Sequence, residues 1–298
     1  MNYGHSLRFG TFITPVNNAP QQAVALARHS EALGYDLVTF QDHPYQAAYL
    51  DTWTLMTWVA AQTGQIHIAP NVINLPLRPP AVLARAAASL DLLSGGRFEL
   101  ALGSGAFWDA IAAMGGRRLQ PGEAVQALSE AIDIFRGVWD GSNPQPLRIN
   151  GQQYQISGMK RGPLPAHPIP IWLGAIKPRM LRLTGQKGDG WLPSLGYVKP
   201  HEIPAANQII DQAAREAGRD PREITRMVNI HGQFAAVRGG FLNGPSAQWV
   251  DDLLPLVLEE GISTFILMGD DPHAMETFAQ EVAPALRAAA GRQVIRGG

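Results

Sequence analysis

The 298-residue chain contains no cysteine, and that absence removes disulfides, thiolate nucleophiles and sulfur-ligated metals or clusters together. It has no excess of either charge: 24 Lys and Arg face 25 Asp and Glu, a net charge of −1 that offers nothing to a polyanion such as a nucleic acid. Charged residues are scarce altogether, 16% against the ~25% of an ordinary domain, while 46% are hydrophobic. That balance supplies a large buried core and argues against disorder. One charge-free stretch, residues 52–77, is interrupted by Gln62, Gly64, Gln65, His67, Pro70, Asn71 and Asn74, too often for a membrane span. No basic segment leads into an apolar run at the start, so the expected location is cytoplasmic, with neither membrane nor nucleic acid as partner.

What the sequence does have is glycine at regular places. Helical segments run into Gly34, Gly64, Gly95, Gly188, Gly218 and Gly261, each followed by a short β-rich run, as in EALGYDLVTF and LEEGISTFILMG. A glycine there suits the left-handed residue that ends a helix. The basic interval is about thirty residues, the length of one strand, one helix and two loops of a parallel sheet. Two intervals are longer. One carries PLRINGQQYQI, whose alternation about Asn150-Gly151 predicts a hairpin with a type I′ turn; the other carries VRGGFLNGP, which predicts a long loop.

Counting units predicts strands near residues 7–13, 36–41, 66–73, 97–103, 170–174, 189–194, 226–234 and 262–268. The spacing of Val125, Leu128, Ile132 and Phe135, and of Met275, Phe278, Val282 and Leu286, predicts helices facing a sheet, the last opened by Asp271 as N-cap and Pro272. Eight such units predict an α/β fold, a (β/α)8 TIM barrel in a single domain over residues 1–298, with a surface insertion at about 140–168 after the fourth helix. The alternative, an open doubly wound sheet, calls for a clearer glycine fingerprint.

In such a barrel the chemistry gathers at the C-terminal ends of the strands. Here those ends are poor in carboxylates and rich in glycine, with Phe12 and Thr14 after the first strand and Tyr45, Phe107, Trp108 and Tyr197 nearby. That mixture suits a large planar ligand with an anionic tail. Gly103-Ser104-Gly105 could cradle a phosphate, or be only a tight turn; Trp108 breaks the longer dinucleotide fingerprint. In Asp42-His43-Pro44 the imidazole is a candidate proton carrier, with Asp42 orienting it or contacting the ligand, against the plainer reading of a capped turn and a solvated loop histidine. Lys177 is a candidate Schiff-base lysine, although Arg179 and Arg182 beside it suggest a cationic helix start near an anion. No paired-histidine spacing, G-x-S-x-G or Walker motif occurs, so no catalytic metal is expected.

Taken together, NLPLRPPAVLARAAASLDLLSGGRFELALGSG, EALGYDLVTFQDHP and PIWLGAIKPRMLRLTGQKGDGWLPS resemble the bacterial luciferase-like monooxygenase superfamily, from about Leu7 to Ala289. The resemblance implies a (β/α)8 barrel that uses FMN or coenzyme F420, commonly as a homodimer, with a separate enzyme reducing the cofactor. It implies that Asp42 and His43 lie beside the reacting ring and that Asn71 and Val72 form a bulge, often a non-prolyl cis peptide, behind it. Gly103, Ser104, Gly105 and Ala106, with Gly174, Ala175 and Ile176, would hold the phosphate and ring. Phe12, Thr14, Trp108 and Trp191 would wall a small-molecule substrate pocket. The expected activity is F420-dependent hydride transfer, with an FMN-dependent monooxygenase, a barrel isomerase or aldolase, and a flavin-binding protein without turnover as alternatives. Arg117, Arg118, Lys160, Arg161, Lys177, Arg179 and Arg182 are the cations expected to favour the polyglutamate tail of F420.

Overall fold

The computed structural model describes residues 3–297. In chain order, β1 (Arg8–Ile13), α1 (Pro20–Ala32), β2 (Leu37–Phe40), α2 (Thr52–Gln62), β3 (His67–Pro70), β4 (Ile73–Asn74), α3 (Pro80–Ser94) and β5 (Leu100–Gly103) make the first half. A short α4 (Trp108–Ala113) and a long α5 (Pro121–Trp139) lead to a hairpin, β6 (Leu147–Asn150) and β7 (Gln155–Met159). The second half is β8 (Ile171–Leu173), α6 (Pro178–Lys187), β9 (Gly190–Trp191), α7 (Ile203–Glu216) and β10 (Thr225–Ile230), then β11 (Gln233–Phe234) and β12 (Asn243–Gly244), α8 (Ser246–Leu258), β13 (Thr264–Met268), α9 (Pro272–Thr277) and α10 (Ala283–Gly297).

The main sheet is parallel throughout, in the order β3-β2-β1-β13-β10-β9-β8-β5-β4. β3 and β4 are two halves of one strand, broken at the cis peptide between Asn71 and Val72. The lower half pairs with β2 and the upper with β5, while Ile68 bridges Phe98, so the third strand joins the two edges into a TIM barrel. Strand alternation sends Phe9 and Ile13 outward to the helices. Inside, a separate apolar layer is built from Leu37, Ala69, Ala101, Trp172, Leu192, Met227 and Ile266. Below it, at the strand starts, Arg8 and His67 meet the buried carboxylate of Glu99, at 3.4 and 2.9 Å.

Four of the six glycines, Gly34, Gly95, Gly218 and Gly261, are left-handed as expected; Gly64 and Gly188 are not. At those two helix ends arginines take over the orphan carbonyls. Arg97 donates to Ala60 O and Thr63 O behind α2, and Arg219 to Gly185 O and Gly188 O behind α6. Asp271 does cap α9, accepting from the His273 amide. The hairpin pairs with itself, but its connection is not the two-residue type I′ turn expected at Asn150-Gly151. Asn150 pairs with Gln155 across a four-residue loop, because the Glu130 carboxylate on α5 accepts the amides of Gln152, Gln153 and Tyr154. Burial tends to raise the pKa of Glu130; the Gln126 amide and these backbone donors overcome it and hold the group ionised. The glycine-rich 238–245 loop pairs its end, β12, with β11.

Candidate active site

The mouth of the barrel holds two joined chambers, of ≈300 Å³ and ≈450 Å³, which share His43, Val72, Ala106, Gly174 and Ile176. Their common floor is made by the break in the third strand. Val72 turns its γ-carbons between two glycine loops: a Cβ on Gly103 would lie 2.8 Å from Cγ2, and one on Gly174 3.3 Å from either methyl. Val72 itself thus excludes a Cβ at 103 as the loops stand and crowds one at 174, whatever ligand approaches. Beside it, Asn71 and Asn229 exchange side-chain amide bonds of 2.7 and 3.0 Å, extended to Thr39 and Ser194. This buried pair fixes both amide orientations and keeps polar floor atoms partnered.

The smaller chamber is lined by Gly103, Ser104, Gly105 and Ala106 on one side and by Lys177 and Met180 on the other. Gly105 sits at φ +103, and a Cβ there would strike Pro76 and Trp108 at 2.7 and 2.9 Å. The loop's backbone is consequently bare toward the chamber, as a phosphate cradle needs. Lys177 is the N-cap of the ten-residue α6, whose first-turn amides add to the same positive field.

His43 stands where the chambers meet. Its ring stacks on Tyr45 at 5.2 Å and receives Phe107 edge-on at 5.5 Å. Burial lowers its pKa, and the charge of Asp42 only partly opposes that, so the imidazole is neutral at pH 7. Its Nε2 lies 3.4 Å from Gln41 Nε2, a weak contact that leaves the nitrogen open to another partner.

Asp42 is not the orienting partner of His43 that the sequence suggested. It is 1% exposed, and its carboxylate accepts from Arg78 Nε and Nη2 at 3.0 and 2.8 Å and from the Asn74 amide at 2.9 Å. Burial acts to lower the pKa of Arg78, but its bonds to Asp42 and Asp51 raise it on balance. The pair fixes the turn after the third strand.

Phe12, Thr14, Asn71 and Ala175 line the larger chamber; Trp108 and Trp191 do not. Trp108 packs with Leu119, Ala124 and Ala127 behind the glycine loop. Trp191 is wholly buried and donates its indole N–H to Ala175 O at 2.9 Å, so it pins the Gly174–Ile176 loop from behind. Asn229 and Arg78 were missed. The seventh strand was expected to end at Gln233 or Phe234, whereas it stops at Ile230 and brings Asn229 into the mouth. The available signals were an amide inside the apolar run TRMVNI and a lone cation in NLPLRPP. Of the seven cations, Arg117 reaches Gln153, Arg118 pairs with Asp109, and Arg161 donates to Gln145 O and Gly137 O. Of the other four, only Lys177 lines the chamber. Among the described residues no group of three or more His, Asp or Glu could hold a metal, and no helix is long and apolar enough to cross a membrane.

The chain is 34% identical over 200 residues to 5,10-methylenetetrahydromethanopterin reductase of Methanolobus tindarius, covering 66% of this chain and 57% of that protein. It is 28% identical over 219 residues to F420-dependent glucose-6-phosphate dehydrogenase of Amycolatopsis mediterranei, covering 71% and 64%. The chain thus spans less than two thirds of either relative. An F420-dependent secondary alcohol dehydrogenase, solved with an F420-acetone adduct, superimposes with a TM-score of 0.81 over 95% of this chain and 99% of that one at 19% identity, which attests the fold. The model of the luciferase-like monooxygenase family matches residues 1–236, and the chain belongs to that family.

Proposed function

We propose that the chain is a coenzyme F420-dependent oxidoreductase that moves hydride to or from a small organic substrate. The observation that supports it is the two-chambered mouth divided over Val72, with a bare glycine loop and Lys177 on one side and an uncharged chamber on the other. The residues present fit such a coenzyme. Gly103–Ala106 and Lys177 would take its phosphate, Val72 would back its ring, and Gly174–Ile176 would hold the ring's edge. When bound, the coenzyme supplies the carbon that exchanges hydride.

The chain's own residues do the rest. His43, neutral and open at Nε2, accepts the proton of a substrate hydroxyl, or in its protonated form returns it to a carbonyl oxygen. Asp42 and Arg78 hold the turn beneath it. A relative named as F420-dependent adds support. The proposal includes a single barrel domain with residues 140–168 as its insertion, a cytoplasmic homodimer, and a partner enzyme that regenerates the cofactor.

An FMN-dependent monooxygenase is the second reading. It is favoured by the contacts of Arg117, Arg118 and Arg161, which leave a cation set sufficient for one phosphate. An aldolase is disfavoured because Lys177 sits on an exposed helix start, not in a desolvating pocket. Spectral titration with oxidised F420 and with FMN, at two salt concentrations, tests the choice. Saturable F420 binding that weakens in Lys177→Ala is expected. Binding of FMN alone would replace the proposal by the monooxygenase, and binding of neither would end both.

A further inference from the structure

We infer that the substrate is an uncharged, compact molecule carrying a carbonyl or hydroxyl group on a largely apolar body, and that Phe107 and Tyr197 select it. This rests on the coenzyme reading above for what fills the neighbouring chamber. The ≈450 Å³ chamber has no Lys, Arg, Asp or Glu among its lining residues. Its hydrogen-bonding groups are all uncharged, Gln41 and His43 with the hydroxyls of Thr14, Ser194 and Tyr197, while the floor amides of Asn71 and Asn229 are already spent on each other. Phe12, Ile176, Leu192 and Met268 add apolar wall, and Phe107 and Tyr197 stand at the rim. A phosphate or carboxylate entering this space would lose hydration and find no cation in exchange. The sugar phosphate in the name of one relative is therefore a poor match, although the two chains share their family.

A second observation points the same way. Phe107, Tyr197 and Ile176 are 60%, 71% and 44% exposed, and all three line this one chamber. Large apolar side chains gathered bare around a cavity mark the surface a ligand covers. Phe107 is held there by a left-handed backbone, φ 55, unusual for a residue with a Cβ, which turns it edge-on to His43. Glycine would satisfy that backbone and delete the wall, so the two effects separate in a single variant.

The test uses the protein loaded with F420 and, in parallel, the protein alone, and it reads binding by calorimetry and aromatic fluorescence rather than turnover. Cyclohexanone and cyclohexanol serve as the neutral probes, glucose 6-phosphate and benzoate as the charged ones. Saturable binding of the neutral pair and none of the charged pair is expected. Phe107→Gly should melt no lower than the parent while its affinity for cyclohexanone falls about tenfold, the loss of one buried apolar contact; Tyr197→Ala should weaken it similarly. Saturable glucose 6-phosphate binding, or cyclohexanone affinity untouched in both variants, would overturn the inference. If F420 fails to bind while the protein alone still separates the two probe pairs, the coenzyme reading falls and the substrate class stands.

Discussion

The two ends of this barrel treat polar groups in opposite ways. At the strand starts and along the outer face near them, long charged side chains are buried and engaged by protein partners. Arg226 is 0% exposed, yet it donates to Asn207, Ile224 O and Asp211, with the Tyr3 ring 4.4 Å from its guanidinium. Burial raises the Tyr3 phenol to about 12, so the group is neutral and donates to Asp211. Arg97 is tied down in the same manner, and Glu99 is held through Oε1 by Arg8 and His67. At the mouth, the residues facing the larger chamber are neutral, glycine-bounded or aromatic. The charged residues that line the smaller chamber are Asp42, braced by Arg78, and Lys177. Saturated contacts stabilise a fold and leave nothing for a ligand; a mouth with open donors and bare apolar walls leaves both.

Removing charge at each end separates these roles, and the largest effects belong here. Arg226→Ala should lose ~3–5 kcal/mol in denaturant unfolding, since Asp211 stays buried, while the folded fraction binds coenzyme as before. Arg78→Ala should lose a comparable amount and also weaken coenzyme binding, because Asp42 then releases Asn74 on the chamber wall. Equal coenzyme affinity in the two variants would erase the distinction.

His43→Ala reverses the pattern. Melting should be nearly unchanged, and kcat should fall ~10²-fold for loss of a proton carrier. Undiminished turnover would remove His43 from the chemistry. Gly103→Ala comes next: its Cβ meets Val72 at 2.8 Å, so stability should fall by ~1–3 kcal/mol and coenzyme affinity with it as the floor shifts. An alanine variant as stable and as tight as the parent would mean that Val72 is not fixed between the loops.

The smallest effect is the pH profile. Because burial lowers the pKa of His43, the neutral base persists as pH falls through the ordinary histidine value and is lost only below it. For substrate oxidation, kcat/KM should therefore drop on the acid side of about 6.5, and the inflection should vanish in His43→Ala. An inflection above pH 7 would contradict the burial argument.

Much of this was legible in the chain. The thirty-residue rhythm carries the barrel because each unit is a local strand–helix pair, and the strand ends carry the mouth because topology puts them there. What was not legible depends on contacts between distant segments. Gly64 and Gly188 look like helix stops, but Arg97 and Arg219 arrive from elsewhere to cap those carbonyls. Asn150-Gly151 looks like a two-residue turn, yet a glutamate on α5 opens it into four. Trp191 ends a strand at the mouth but faces the back of a loop, and a strand's last turn decides that, not its composition.

The division between the two ends is tested most directly by backbone hydrogen exchange with and without oxidised F420. Slowed exchange is predicted at residues 71–74, 103–107 and 174–177, with residues 8, 67 and 97–99 at the opposite end unchanged. Protection at the bottom, or none at the glycine loops while F420 is bound, would contradict the assignment of the mouth as the active end.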